Sequence, residues 1–256
     1  MKLVTWNVNS VKARLERVMS FIDREQPDIL CIQELKVSDD AFPHDEMEGA
    51  GYFHAVHGQK TYNGVAILSK LELADVAKGI PDGAEDDQAR FVTANTAGIR
   101  VICVYVPNGK KVGTESYAYK LEWFKRLSSY LHRDMNPAEK IVLCGDLNVA
   151  PDDRDVANPE KWATSVLCHE DARDEFESLR HWGLTDVFRE HHPEGHVYSW
   201  WDYRMLGFPK GDGLRIDHIL ATQPLAGLCT GARVDRNERK GKLPSDHAPV
   251  IAEFDM

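Results

Sequence analysis

Short, wholly apolar runs alternate along this chain with longer stretches in which apolar residues recur three or four positions apart, and polar clusters follow or interrupt the runs. Leu3 to Val8 reads as a strand. Val11, Leu15, Val18 and Ile22 then recur at helical spacing, and Pro27 closes that helix before a second strand at Ile29 to Ile32. The next stretch carries Gly64-Val65-Ala66-Ile67-Leu68, Phe91-Val92-Thr93-Ala94 and Ile99 to Val106, separated by turn-like loops. Strands that succeed one another without helices predict antiparallel hairpins. Leu121, Phe124, Leu127 and Leu131 mark a second amphipathic helix, and Phe176 with Leu179 a third, each followed by a strand. Runs such as Val101-Ile102-Cys103-Val104 are apolar at consecutive positions, so both faces of their sheet must be covered. Two packed sheets with helices outside meet that requirement, which predicts one layered α/β domain over residues 1–256.

The polar clusters are Asn7, Gln33-Glu34, Tyr105 to Asn108, Asp146-Leu147-Asn148, Asp217-His218 and Ser245-Asp246-His247. Each stands where the chain leaves or interrupts an apolar run, the place where a rigid scaffold presents chemistry. Glu34, Asp146, Asp217 and Asp246, with the amides Asn7 and Asn148, offer hard oxygen donors that suit Mg²⁺ or Mn²⁺. Magnesium takes only one or two protein carboxylates, which leaves the other acids to orient a water or a histidine. His247 beside Asp246 can bring an imidazolium to a phosphoryl oxygen. Taken singly, Asp146 could cap a turn, Asn7 close a loop and His247 sit satisfied in the core. Their joint occurrence at successive run ends points to one metal-assisted site.

Charge and cysteine content narrow the setting. With 31 basic and 41 acidic residues the formal charge is −10, which argues against a nonspecific coat for nucleic acid. A local basic face is still enough for phosphate contacts. Lys110 and Lys111 follow Tyr105 to Gly109, and Arg233, Arg236, Arg239, Lys240 and Lys242 precede Ser245, so both loops are expected to meet phosphates. Asp82 to Asp87 reads as a solvated acidic loop, and His191, His192 and His196 as a solvated histidine loop. Five cysteines, three of them inside apolar runs and none in Cys-x-x-Cys spacing, fit reduced thiols and a cytoplasmic protein. No apolar segment is long enough for a membrane span.

Seven motifs, Trp6-Asn7-Val8-Asn9, Gln33-Glu34-Leu35-Lys36, Gly64 to Ser69, Tyr105-Val106-Pro107-Asn108, Gly145 to Ala150, Leu214 to His218 and Ser245 to Val250, resemble in order and spacing the exonuclease III family of abasic-site endonucleases. The resemblance runs from Met1 nearly to Met256. It implies a four-layer α/β/β/α sandwich of the DNase I-like kind and Mg²⁺-dependent hydrolysis of DNA, with incision 5′ to abasic sites accompanied by 3′-5′ exonuclease and 3′-end-cleaning action. It assigns Glu34 as the main metal ligand with Asn7 and Asp246 close by. Asp146, supported by Asn148, would manage the attacking water. Asp217 would hold His247, which with Tyr105 and Asn108 would contact the scissile phosphate, and either Tyr105 or water can reach the leaving oxygen.

For recognition, the resemblance places Trp200, Leu214 and Ile216 around a pocket for the flipped abasic sugar, and sets Lys12, Tyr62 and Arg90 against duplex DNA. Trp201 is expected in the core. The partner is double-stranded DNA with abasic sites or 3′ ends, acted on by a monomer. Leu35 stands where the family usually has threonine, Ser10 where glycine is common, and Leu214 where some relatives carry tryptophan. The first two bear on loop geometry and the third on how strictly abasic and terminal nucleotides are told apart. Two rivals remain open at this stage, a phosphatase for small phosphate esters and a nucleic-acid-binding module without catalysis.

Overall fold

The computed structural model describes residues 1–256, the side chain of Met205 excepted. Its strands are β1 (Lys2–Asn7), β2 (Ile29–Gln33), β3 (Phe53–His57), β4 (Val65–Ser69), β5 (Ala74–Lys78), β6 (Phe91–Thr96), β7 (Ile99–Tyr105), β8 (Ile141–Asp146), β9 (Leu184–Asp186), β10 (Asp217–Thr222), β11 (Cys229–Val234) and β12 (Val250–Phe254). They form two six-stranded mixed sheets, in the orders β11-β12-β1-β2-β4-β3 and β5-β6-β7-β8-β10-β9. Each sheet has one parallel pair near its centre, β1 with β2 and β7 with β8. The longer helices are α1 (Leu15–Glu25), α2 (His44–Gly49), α3 (Glu115–Asp134), α4 (Pro159–Trp162) and α5 (Glu170–Trp182).

The two-residue period of the strands sorts their side chains into layers. Leu3, Ile29, Cys31, Val101, Cys103, Val142, Cys144 and Ile219 meet between the sheets. Their neighbours Val4, Trp6, Leu30 and Ile32 turn outward to Val18, Phe21 and Ile22 of α1. Ile102, Val104, Ile141 and Leu143 turn the other way, to Phe124, Leu127, Phe176 and Leu179 of α3 and α5. Helix, sheet, sheet and helix follow in order, which is the expected four-layer sandwich. Truncating a fully buried layer residue such as Leu143 to alanine costs about 2–5 kcal/mol.

Helix α1 begins later than its periodicity suggests. Val11 is buried, but in a turn; Asn9 and Ser10 hold φ of 48° and 89°, and regular helix starts at Leu15. At its other end Gln26 turns left-handed, with φ of 50°, and donates its N–H to the Ile22 carbonyl one residue before Pro27. Two charged loops are also spent on structure. Asp82 and Asp86 clamp Arg126 at 2.6 and 2.7 Å, so the acidic loop is tied down instead of solvated. In the basic loop Arg233 pairs with Glu25, Arg236 lies over Phe208, and the buried Arg239 donates to the Ser245 and Trp201 carbonyls. Lys240 and Lys242 of that loop are exposed, Lys240 donating to Asn237 Oδ1 at 2.8 Å. His192 stacks on Phe188 and contacts the Ala232 carbonyl, so it too leaves the solvated loop expected for it.

One ionic knot supports the start of β10. Arg215 is 1% exposed and bonds Asp155 at 2.6 Å and Asp186 at 2.8 Å, while its backbone N–H donates to the Asp155 carbonyl. Burial pushes the Asp186 carboxyl up, but Arg215 and His218 overcome it and hold the group well below the usual carboxylate range. A depressed carboxyl stabilises the fold above its unfolded value of about 4, and that stability is lost as pH falls. Arg215→Met strands buried carboxylates and is expected to cost about 3–5 kcal/mol at pH 7. Urea unfolding reads this directly, and a loss under about 1 kcal/mol would assign the knot no role in stability.

Candidate active site at one end of the sheet sandwich

The same alternation that builds the interlayer also delivers the site. Asn7 follows Leu3 and Thr5 on one face, Tyr105 follows Val101 and Cys103, Asp146 follows Val142 and Cys144, and Asp217 precedes Ile219. Asn7 pairs in register with Gln33, and Asp146 with both Tyr105 and Asp217. A polar row therefore caps the apolar interlayer at one end, with Glu34 one residue past β2. Glu34 carries φ of 56° and Lys36 the same, a left-handed geometry that is costly for residues with a Cβ and that recurs at working sites. The backbone here is braced by Ser10, whose N–H reaches the Glu34 carbonyl at 2.7 Å, and by Gly64, where a Cβ would strike Leu35 at 2.7 Å. Leu35 is fully buried, and Ser10 adopts the φ that favours glycine, so the two departures noted in the sequence meet in one strained junction.

Hydrogen bonds lock the row. Asn7 Nδ2 donates to Glu34 Oε1 and to Asp146 Oδ2, both at 2.9 Å, and its Oδ1 accepts from the Asn9 N–H. Tyr105 donates its hydroxyl to Glu34 Oε1 at 2.9 Å. Asp146 Oδ1 accepts the Asn148 N–H at 2.9 Å, and Asn148 Oδ1 accepts from Asn108 Nδ2 at 2.9 Å. His247 Nδ1 lies 2.9 Å from Asp217 Oδ2, leaving Nε2 3.7 Å from Asp146 Oδ2. Ser199 fixes Asp217 by donating at 2.6 Å while accepting the Ile216 and Asp217 N–H groups.

Burial and neighbouring charge set the protonation states. Burial lifts Asp146 to about 7, aided by Asp217 and Glu34 and opposed by His247 and Asn7. Burial pulls His247 down, yet Asp217, Asp146 and Asp246 carry it up to about 10, so it is an imidazolium at neutral pH. Burial raises the Glu34 carboxyl, but Lys36 and the Asn7 amide bring it below its ordinary value. The Tyr105 phenol is driven well above its ordinary value by burial and then by Glu34 and Asp146, which leaves it a proton donor.

Glu34, Asp146 and His247 each bring one ligand atom within 4.8 Å of the others. An imidazolium cannot ligate a cation, so the donors of this group are the two carboxylates. Two converging hard oxygens suit a divalent ion of the magnesium type. Lys36 Nζ, 2.8 Å from Glu34 Oε2, marks the direction from which the carboxylate takes positive charge. Asn7 stitches the two carboxylates together. Asp246 stands outside the group, its oxygens accepting Asn9 Nδ2 at 2.9 Å and Trp200 Nε1 at 3.1 Å.

Around the row the recognition residues divide. A cleft of about 520 Å³ is lined by Tyr62, Arg90, Tyr105, Asn108 and Lys110 among others. Tyr62 is 68% exposed, and Lys12, Lys110 and Lys111 are also exposed. Arg90 reaches this cleft from within the fold. It is buried, donates to the Tyr105 carbonyl at 3.1 Å and lies 4.7 Å over the Tyr105 ring. On the other flank Trp200 pairs in isolated bridges with both Leu214 and His247, while Trp201 is buried as expected. Leu214 and Ile216 are fully covered, so they form the floor beneath Trp200 and not an open wall. Trp162 of α4, which the sequence did not single out, meets Trp200 edge to face at 5.7 Å. Lys36 and Ser199 were likewise not singled out; Lys36 closes the Gln33 to Lys36 motif, and Ser199 directly precedes Trp200.

Comparison with known proteins agrees with this geometry. A model of the endonuclease/exonuclease/phosphatase family matches residues 4–247. Exodeoxyribonuclease III of Haemophilus influenzae is 36% identical over 266 residues, spanning 99% of this chain and 100% of that protein. An AP endonuclease from Archaeoglobus fulgidus superposes with a TM-score of 0.97 at 42% identity over 100% of both chains. A 3′ phosphatase, NExo, from Neisseria, solved bound to a product DNA hairpin, gives 0.97 at 44% identity, again over 100% of both. The chain belongs to the endonuclease/exonuclease/phosphatase family, in its exonuclease III group of AP endonucleases.

Proposed function

We propose that this protein is a Mg²⁺-dependent DNA repair nuclease that hydrolyses the phosphodiester 5′ to abasic sites in duplex DNA, and that the same site trims and cleans 3′ ends. The observation that carries the reading is the meeting of Glu34, Asp146 and His247 at the rim of the sheets, beside Trp200 and a cleft edged by Lys110. Glu34, with Asp146 opposite, would hold the cation, which when bound offsets charge on the phosphoryl oxygens. Asp146, oriented by Asn7 and Asn148, takes a proton from the attacking water as its oxygen bonds to phosphorus. The His247 imidazolium, held by Asp217, and the Asn108 amide donate to the non-bridging oxygens. As the P–O3′ bond breaks, the leaving oxygen takes a proton from the Tyr105 hydroxyl or from water and becomes a 3′-hydroxyl. The downstream fragment keeps a 5′-deoxyribose phosphate.

The test is cleavage of an end-labelled duplex carrying one tetrahydrofuran abasic analogue, beside an intact recessed duplex, with Mg²⁺ and with EDTA. Incision immediately 5′ to the analogue, abolished by EDTA, is expected, together with shortening of the recessed strand. No cleavage of either duplex would favour a phosphatase acting on small esters.

Trp200 gives a second check. Its indole is fixed by Asp246 and packs over Leu214. Trp200→Ala is expected to reduce the preference for abasic over intact duplex by about tenfold, the scale of one lost apolar wall. Competition between the two duplexes measures it, and an unchanged preference would return Trp200 to a packing role.

A further inference from the structure

The loops after β7 and β8, which carry Asn108 and Asn148, are bridged by a residue from neither strand. Lys120, in the second turn of α3, is fully buried. Its Nζ donates to the carbonyl oxygens of Asn148 and Val166, each at 2.6 Å, and of Asn108 at 3.3 Å. An ammonium has three protons, and here each finds a carbonyl. Burying an ammonium among neutral acceptors is unfavourable compared with leaving it in water. Burial draws this one down to about 7, against the upward pull of Asp146. The arrangement is therefore a poor way to stabilise a core and a good way to draw three loop ends to one point.

What those ends carry is specific. Asn148 is left-handed, with φ of 50°, and all its other polar groups are engaged: its N–H holds Asp146, its Nδ2 donates to the Val106 carbonyl, and its Oδ1 accepts from Asn108. Lys120 takes the one group left, the carbonyl. Gly109, next to Asn108, has φ of 90° and lies against the lysine stem, where a Cβ would come within 3.1 Å of Lys120 Cδ. Stem and head of one side chain thus support the Asn108 loop. Val166 belongs to the segment between α4 and α5, and the adjoining Leu167 carbonyl accepts the Ala150 N–H at 2.7 Å.

We propose that Lys120 is a positioning residue for phosphodiester cleavage, its ammonium setting the separation of the Asn108 and Asn148 loops and tying both to the segment that follows Trp162. The inference rests on the nuclease reading given above. Without the three donors the Asn148 peptide is free to turn. The Asn108 to Asn148 contact then loosens, and Asp146 loses the one of its two orienting bonds that comes from Asn148. Tyr62 and Trp200, which are proposed to meet DNA, lie outside the loops that Lys120 bridges and stay in place.

The experiment compares wild type, Lys120→Met and Lys120→Gln in single-turnover cleavage of the tetrahydrofuran duplex at saturating Mg²⁺, with duplex affinity read by anisotropy in EDTA. Lys120→Met, which keeps the stem and removes every donor, is expected to cut about 100-fold more slowly. Its affinity should stay within about threefold of wild type, the mark of an effect on turnover and not on binding. Lys120→Gln should fall between the two. A folded Lys120→Met protein that cuts at nearly the wild-type rate, or whose whole loss lies in binding, overturns the proposal. Should neither variant fold, the wild type decides: below its value of about 7, an ammonium held by three carbonyls gives a slowly exchanging ¹⁵Nζ signal, and its absence at such a pH overturns the bridge. Failure of the wild type to cut would count against the nuclease reading, while the Nζ signal would still report on the bridge.

Discussion

Asp146→Asn is expected to slow single-turnover incision by about 10³–10⁴-fold while duplex affinity changes little. The substitution removes the proposed base for the water proton, and it also unsettles its neighbours. Asp146 accepts from Asn7 on one oxygen and from Asn148 on the other. An amide offers only one acceptor, so one of these donors faces an N–H₂ group. His247 loses one of the three carboxylates that keep it charged, and its value falls from about 10. The wild-type rate should rise with pH through about 7 as Asp146 ionises, then fall when His247 gives up its proton near 10. A divalent cation bound at Glu34 favours the carboxylate and opposes the imidazolium, which moves both limbs to lower pH. In the variant the ascending limb should vanish. Turnover within tenfold of wild type, or an ascending limb that persists, would remove Asp146 from the role of base.

Glu34→Ala is expected to depress abasic incision, 3′-5′ exonuclease and 3′-phosphatase action together, by at least about 10²–10³-fold each. Glu34 is where Asn7, Tyr105 and Lys36 converge, so its removal takes away a cation donor and an acceptor shared by three groups. Parallel assays on three labelled substrates, with Mn²⁺ binding followed by calorimetry, make the comparison. Equal loss with weakened Mn²⁺ binding fits one shared site. Survival of any one activity would require a second site elsewhere in the molecule.

The layers and the site were legible in the sequence for the same reason. Interlayer strands such as Val101 to Tyr105 and Ile141 to Asp146 are covered on both faces, so their apolar runs are continuous and the first polar residue marks the exit. The edge strands were not legible. Phe53–His57 and Ala74–Lys78 have one neighbour each and mixed exposure, so neither periodicity nor an apolar run distinguishes them from loop. Charge was read least well. Arg239 looked like part of a phosphate-binding loop because sequence counts cations without revealing that its guanidinium is buried against the Ser245 carbonyl. The packing of Arg90 on the Tyr105 ring, between residues 15 positions apart, was not legible either. Lys120, by contrast, sat in an amphipathic helix where lysine is ordinarily solvated, and only the carbonyls facing it reveal its use.

The pairing of β1 with both β2 and β12 has a consequence for how the protein is made. Lys2 stands opposite Glu253 and Thr5 opposite Val250, so the centre of one sheet joins an earlier-made strand to one made much later. Asp246 and His247 lie just ahead of that closing strand. While the ribosome is still translating, β1 has β2 beside it and an unfilled edge on its other side, and the imidazolium that the proposed chemistry needs has not yet been made. A chain translated only as far as Ser245 therefore lacks both the imidazolium of the proposed cutting centre and the strand that fills the centre of this sheet.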